Sequence, residues 1–157
     1  MVAMNVPLIL RDEPFTEPTE VTLPEGVVTV NEFSEAVSLA DLPAIFDAGY
    51  SSLAEAGPIG PGYALYSGPP SGWFDLEIGF PVAAAPAGFT AGTFPAGRAL
   101  ALSHVGPYDT LGDSWGSLME SFAARDLGEP RLIAEVYATD PSVTPAADLR
   151  TDLFVLY

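Results

Sequence analysis

The strongest constraint on the fold is that the chain repeats itself. Thr22-Leu23-Pro24-Glu25-Gly26 recurs as Thr93-Phe94-Pro95-Ala96-Gly97, 71 residues later (95 − 24). The same spacing relates Gly57 to Gly128, Tyr66 to Tyr137 and Pro70 to Pro141. Landmarks kept at one offset, in order and without a gap, indicate a duplication. Two long copies specify one pseudo-symmetric domain, whereas a solenoid needs three or more short units. A chain of 157 residues is long enough to bury one core without staples. The single domain is expected over 17–157, with a first half at 17–84 and a second at 88–157. Residues 1–16 carry Pro7, Pro14 and mixed charge with no sustained period, and read as an N-terminal leader.

Each half has the same coarse order. A short strand (Glu20–Leu23; Phe89–Phe94) enters a Pro-x-Gly turn and a longer strand follows (Val27–Phe33; Arg98–His104). A helix comes next. In the first half it starts near Ser38 and carries Leu42, Ile45, Phe46 and Tyr50. In the second it starts near Asp109 and carries Leu111, Trp115, Leu118, Met119 and Phe122. Spacings of three and four place these side chains on one stripe of each helix. Gly57 and Gly128 suit helix C-terminal ends. Two strands close each half: Tyr63–Ser67 with Trp73–Phe80, and Leu132–Ala138 with Leu149–Leu156. The pattern predicts an α+β fold, a duplicated strand-helix-strand-strand unit whose antiparallel sheet carries two helices on one face. The face away from the helices, around the pseudo-twofold, is expected to form a ligand groove.

Within this scheme Glu135 stands out. Alternation puts Leu132, Ala134, Val136 and Ala138 on one face of their strand, suited to packing under a helix, and Ile133, Glu135 and Tyr137 on the other. A mid-strand carboxylate between an aliphatic and an aromatic residue is an unusual placement. Its counterpart in the first copy is Ala64 (135 − 64 = 71), although Tyr66 and Tyr137 match. The fold therefore does not need an acid at that position. A functional role is favoured, with a sheet-face ion pair to Arg98 or Arg150 as the structural alternative. Tyr137 and Tyr66 are candidate walls of a binding site around Glu135, with Tyr108 and Trp73 as rim candidates. Ordinary packing competes for each aromatic. Trp115, Phe46 and Phe122 lie on helix stripes and are assigned to the core. His104, the one histidine, is assigned to strand-end packing or hydrogen bonding.

Composition narrows the chemistry. There is no cysteine, which excludes disulfides, zinc–thiolate sites and thiol nucleophiles. The net charge of −16, with 21 acidic residues against five arginines and no lysine, repels a phosphate backbone. Direct nucleic-acid binding is not expected. The same field attracts cations, though acidity also serves solubility. No phosphate-cradling glycine loop with a lysine is present. No cofactor or metal is expected. The uncharged run Ile78–Gly97 is long enough to span a membrane but holds three prolines and four glycines, so it reads as strand ends and a linker. The first ten residues lack a basic n-region. A cytoplasmic protein away from membranes is the expectation.

Gly97-Arg98-Ala99-Leu100-Ala101-Leu102-Ser103-His104-Val105-Gly106-Pro107-Tyr108 resembles the Gly-Arg, hydrophobic strand, His-x-Gly-Pro-Tyr segment of the GyrI-like small-molecule-binding domain. Glu135-Val136-Tyr137 followed by Asp140-Pro141 resembles its Glu-x-Tyr strand, and Phe74–Val82 resembles the strand ending its first half. The likeness spans about 17–157. It implies a duplicated strand–helix–strand–strand fold, found alone in gyrase-inhibitory proteins and as the effector-binding half of MerR- and AraC-type regulators. It further implies that amphipathic, often cationic aromatic ligands bind in a central groove, with Glu135 as the residue facing them. Some members open cyclopropane rings of alkylating natural products with a pocket glutamate and tyrosine, which would make Glu135 and Tyr137 catalytic. The sequence contains no winged-helix or helix-turn-helix segment, so transcriptional control by this chain by itself is not expected.

Three functions follow in order: a standalone binder of hydrophobic or cationic small molecules, a hydrolase of that type, and a protein-interaction role such as gyrase inhibition.

Overall fold

A computed structural model describes residues 6–67 and 72–157. Residues 68–71, and with them the Pro70 landmark, lie outside the described residues. The chain runs β1 (Thr19–Leu23), β2 (Val28–Val37), α1 (Leu42–Leu53), β3 (Tyr63–Tyr66), β4 (Phe74–Pro81), β5 (Thr90–Thr93), β6 (Gly97–Val105), α2 (Leu111–Ala124), β7 (Leu132–Tyr137) and β8 (Arg150–Leu156). A single 3-10 turn leads into each helix, at Leu39–Asp41 and Tyr108–Thr110. Ser38 and Asp41 bond reciprocally at the first of these, which satisfies N–H groups that a helix start leaves free. The first helical unit ends at Gly57 with φ +79°, a left-handed conformation that glycine adopts without a Cβ clash.

All eight strands form one antiparallel sheet in the order β1-β6-β8-β7-β3-β4-β2-β5. Exchanging the two halves reverses this order and leaves it otherwise unchanged, so the duplication is a two-fold in space. The first strand of each copy pairs with the second strand of the other: β1 lies on β6, and β5 on β2. Neither half is therefore a complete sheet alone. At the centre β3 pairs with β7, and the register sets Ala64 opposite Glu135. These two residues are each other's duplicates, so the pseudo-twofold passes between them. The offset is not uniform. It is 71 between β3 and β7 when Tyr66 is matched to Tyr137. It is 69 between the helices, where Leu42 matches Leu111 as first residue. Insertions in the loops absorb the difference.

Both helices lie on one face. Leu53, Leu118 and Phe122 pack there with Val30, Ile78, Leu100, Ile133, Leu153 and Val155. The opposite face has its own core, in which Tyr63, Leu65, Ala134, Val136, Phe154 and Leu156 meet Leu8, Phe15, Leu23 and Phe94. This inverts one expectation. Ala134 and Val136 pack away from the helices, while Ile133, Glu135 and Tyr137 face them. The alternation is as read, but residues before β1 cover the second face and bury its small apolar side chains without a helix. Burial on both sides also explains why β8 is buried along almost its whole length.

The segment before β1 is tied to that second face. Phe15 and Ser103 exchange backbone and side-chain bonds, both at 2.8 Å. The Arg150 guanidinium donates to the carbonyls of Arg11 and Asp12. Arg150 is itself held by a two-point pair with Asp152, at 2.9 and 3.0 Å, and Ser103 donates to the same carboxylate at 2.6 Å. Asp152 is fully buried. Breaking a buried pair leaves a desolvated charge without its partner, which costs about 3–5 kcal/mol. Asp152→Ala is accordingly expected to lose at least about 3 kcal/mol of stability in urea denaturation. A loss below about 1 kcal/mol would show the clamp to be incidental.

Candidate functional site

The floor of the site is the central pair of strands. Glu135, on β7, is 4 % exposed and has no basic partner among the described residues. Its carboxylate is satisfied by three neutral donors. The hydroxyls of Tyr66 and Tyr137 both donate to Oε1, at 2.8 and 2.7 Å, and the Trp115 indole N–H donates to Oε2 at 2.7 Å. Hydrogen bonds to a charged acceptor contribute about 1.5–3 kcal/mol each, enough to offset a substantial part of the desolvation. The arginine alternative is set aside: Arg150 pairs with Asp152 on the other face, and Arg98, exposed on β6, makes no ion pair with Glu135.

The position on the axis explains why only one copy carries the acid. Residues directly opposite on an antiparallel ladder have Cβ atoms about 5 Å apart, so a glutamate at 64 would set like charges face to face. Alanine at 64 leaves Glu135 alone there.

Above this floor, between the two helices and so on their face of the sheet, not on the face away from them where the groove was expected, lies a cavity of about 1180 Å³. Duplicated positions supply much of its wall: Leu39 with Tyr108, Leu42 with Leu111, Phe46 with Trp115, and Tyr66 with Tyr137. Tyr50 and Phe80 add further aromatic surface. Tyr137 is the hub, with ring centroids of Phe46, Tyr50 and Tyr108 at 6.1, 6.2 and 6.1 Å, all edge-on. Such pairs contribute about 0.5–1.5 kcal/mol each beyond area burial. The Tyr50 hydroxyl donates to the Tyr63 carbonyl, which fixes its ring against β3. Asp140 lies at the exposed border, where the Ser142 hydroxyl and N–H hold its carboxyl below the usual range. Among the lining residues there are two carboxylates and no basic side chain.

Of the candidate site residues, Glu135, Tyr137, Tyr66 and Tyr108 converge on this cavity. Trp73 does not: it is 74 % exposed and borders no part of the cavity. It precedes β4, whose inward-facing residues begin only at Phe74. Trp115 and Phe46, assigned to the core from their helix stripes, pack half-buried against it and also line the cavity, while Phe122 is core as expected. A helix stripe marks the side that faces the sheet, but the two helices stand apart over the axis and leave their facing flanks uncovered. Aligning the helices at a spacing of 69 sets Phe46 against Trp115, and that was the signal for both. His104 is buried, with Nδ1 2.7 Å from the Ser114 hydroxyl and Nε2 2.9 Å from the Pro107 carbonyl. It ties the start of α2 to the sheet one residue before Trp115. Among the described residues, no cluster of three or more His, Asp or Glu side chains could hold a metal ion, and no helix is long and apolar enough to cross a membrane.

A duplicated α+β sheet with a hollow on its pseudo-axis defines a class of ligand-binding domain. The sequence profile of the GyrI-like small molecule binding domain matches residues 60–157, and the chain belongs to that family. The fold is similar to the crystal structure of the EcmrR C-terminal domain, with a TM-score of 0.72 at 16 % identity over 89 % of this chain and 96 % of that one. It is also similar to EcmrR in a cryo-EM complex with DNA, with a TM-score of 0.73 at 16 % identity over 88 % of this chain and 56 % of that one. A hydrolase from Listeria innocua has a TM-score of 0.57 at 13 % identity, over 92 % of this chain and 93 % of that one. No curated protein matches the chain by sequence.

The tyrosines set a pH signature. Burial first, then the Glu135 charge, raises both Tyr66 and Tyr137 well above the ordinary tyrosine value of 10.0. Both therefore remain neutral donors at physiological pH. In the unfolded chain they ionise near their ordinary value. As pH rises through it, the unfolded state releases protons that the folded state retains, so the stabilisation present below about pH 10 declines above it. Tyr66→Phe/Tyr137→Phe, although less stable at neutral pH, is expected to lose stability less steeply than wild type between about pH 9 and 11. Urea titrations at several pH values measure this, and equal slopes would refute the assignment.

Proposed function

We propose that this protein is a receptor for amphipathic cations with an aromatic or bulky apolar body. The observation that carries the reading is a buried carboxylate, satisfied only by neutral donors, at the floor of an aromatic-walled cavity without a basic group. A cation supplies the opposite charge that the buried acid lacks. It also gains about 0.5–2 kcal/mol from each aromatic face it covers. The net charge of −16 steers cations toward the molecule. Sequestration or sensing of such compounds is the corresponding role. Calorimetric titration with tetraphenylphosphonium and benzyltrimethylammonium tests the reading. Wild type is expected to bind at least one of them, and Glu135→Gln to weaken that binding by about tenfold or more, the loss of one charge-assisted contact. Equal affinity in the two proteins would sink it.

A second reading has its own observation: two tyrosine hydroxyls and one carboxylate meet at a single atom inside a cavity. With a substrate in place, Glu135 would take a proton from water as that water attacks an electrophilic ring carbon, and a tyrosine would donate to the group that leaves. Opening of cyclopropane-type alkylating compounds fits this chemistry. Mass spectrometry after incubation with such a compound is expected to show a product heavier by one water, absent with Glu135→Gln. Recovery of intact compound from wild type removes the hydrolase reading for that class.

A further inference from the structure

The cavity has one stretch of wall supplied by the residues ahead of β1, which belong to neither copy of the repeated unit. Val6 and Ile9 line it, beside the Gly60-Pro61-Gly62 turn. The same two residues border a second cavity, of about 560 Å³, on the side of Pro24, Val28 and Pro81. Residues 6–10 are therefore a thin partition with space on both sides.

The partition is seated by specific features. Leu8 takes φ +73°, a left-handed conformation disfavoured for a side chain of its size, and its side chain is buried in the second core. Ile9 N–H closes a turn on the Val6 carbonyl at 3.1 Å. Gly60 lets the segment lie against the turn before β3, because a Cβ there would come 2.8 Å from the Pro7 carbonyl oxygen and 2.9 Å from Pro81 Cγ. The Arg150 bonds to Arg11 and Asp12 anchor the end that leads on to β1. The turn and the left-handed Leu8 together send Leu8 into the core and leave Val6 and Ile9 at the cavity.

We propose that Val6 and Ile9 are specificity-determining residues of the binding site, contacting the apolar body of a ligand whose cationic centre lies over Glu135. The inference rests on the receptor reading above and adds to it a size preference. Ligands bulky enough to reach the partition gain from its aliphatic surface; compact cations held over the floor do not. Val6 is exposed and Ile9 sits half-buried at the edge of the second core, so polar replacement removes neither of the buried anchors, Leu8 and Phe15.

The test uses the full chain and two probes. In Val6→Ser/Ile9→Ser, affinity for tetraphenylphosphonium is expected to fall about five- to tenfold, as suits the loss of buried aliphatic area. Affinity for benzyltrimethylammonium is expected to change less than about twofold, since a compact cation loses no such area. Hydrogen exchange of the amides of Val6, Leu8, Ile9 and Leu10 is expected to slow when tetraphenylphosphonium binds wild type, an outcome independent of any variant's folding. If tetraphenylphosphonium affinity is unchanged in the double variant, or exchange in the segment does not respond to the ligand, the proposal is overturned. In that case a loss of binding in Glu135→Gln keeps the receptor reading intact. If neither cation binds wild type, the receptor reading fails and the partition proposal falls with it.

Discussion

A carboxylate buried on a two-fold axis is the interaction on which the arrangement of the cavity depends. Glu135 is held by Tyr66 from the first copy and by Tyr137 and Trp115 from the second, so one acid links the central strands to one helix. Each donor fixes a ring as well as a proton, and the rings are the cavity wall. The polar network and the apolar surface are thus one construction. Such a network is stable only while fully satisfied, because a buried acid with an unfilled oxygen carries a large desolvation penalty.

The duplication supplies the cavity by geometry. Exchange of the outermost strands makes each half depend on the other, and the central β3–β7 pairing brings two equivalent positions into direct opposition. Equivalent helices then stand on either side of the axis. Where they part, neither covers the floor, and residues that would be core in a closed helix pair line the cavity. A symmetric scaffold still yields an asymmetric site, because only one of two opposed positions tolerates a charge. Phe46 and Trp115 show the same divergence: equivalent in position, different in chemistry, with only the indole able to donate to Glu135.

The second face has a different task. Arg150, Asp152 and Ser103 bind the residues ahead of β1, and that segment buries Leu8 and Phe15 against small side chains of β6 and β7. This covering lets a strand as apolar as β8 remain sealed on both sides. It also brings residues 6–10 to the border of the cavity between the helices, so stability on one face and composition of the wall on the other share one segment.

The order of strands and helices, the duplication, the unusual carboxylate and three of its aromatic neighbours were all legible in the amino-acid sequence. Those features depend on local period and on repetition, and both are written in one dimension. The family resemblance was legible too, through the Gly-Pro-Tyr segment and the Glu-x-Tyr strand. What the tertiary structure alone decided was which face of the sheet the helices cover. Alternation separates Ile133, Glu135 and Tyr137 from Ala134 and Val136 but does not say which set lies beneath a helix, since either set is apolar enough to be buried. Helix separation was equally hidden: stripe residues such as Trp115 look alike whether a neighbouring helix closes on them or leaves room for a ligand. Trp73 failed for the reverse reason, because an aromatic at a strand start has no period to show whether it turns inward. The seating of residues 6–15 depends on contacts with Ser103 and Arg150 at separations of 88 and 138 residues, which no local pattern encodes.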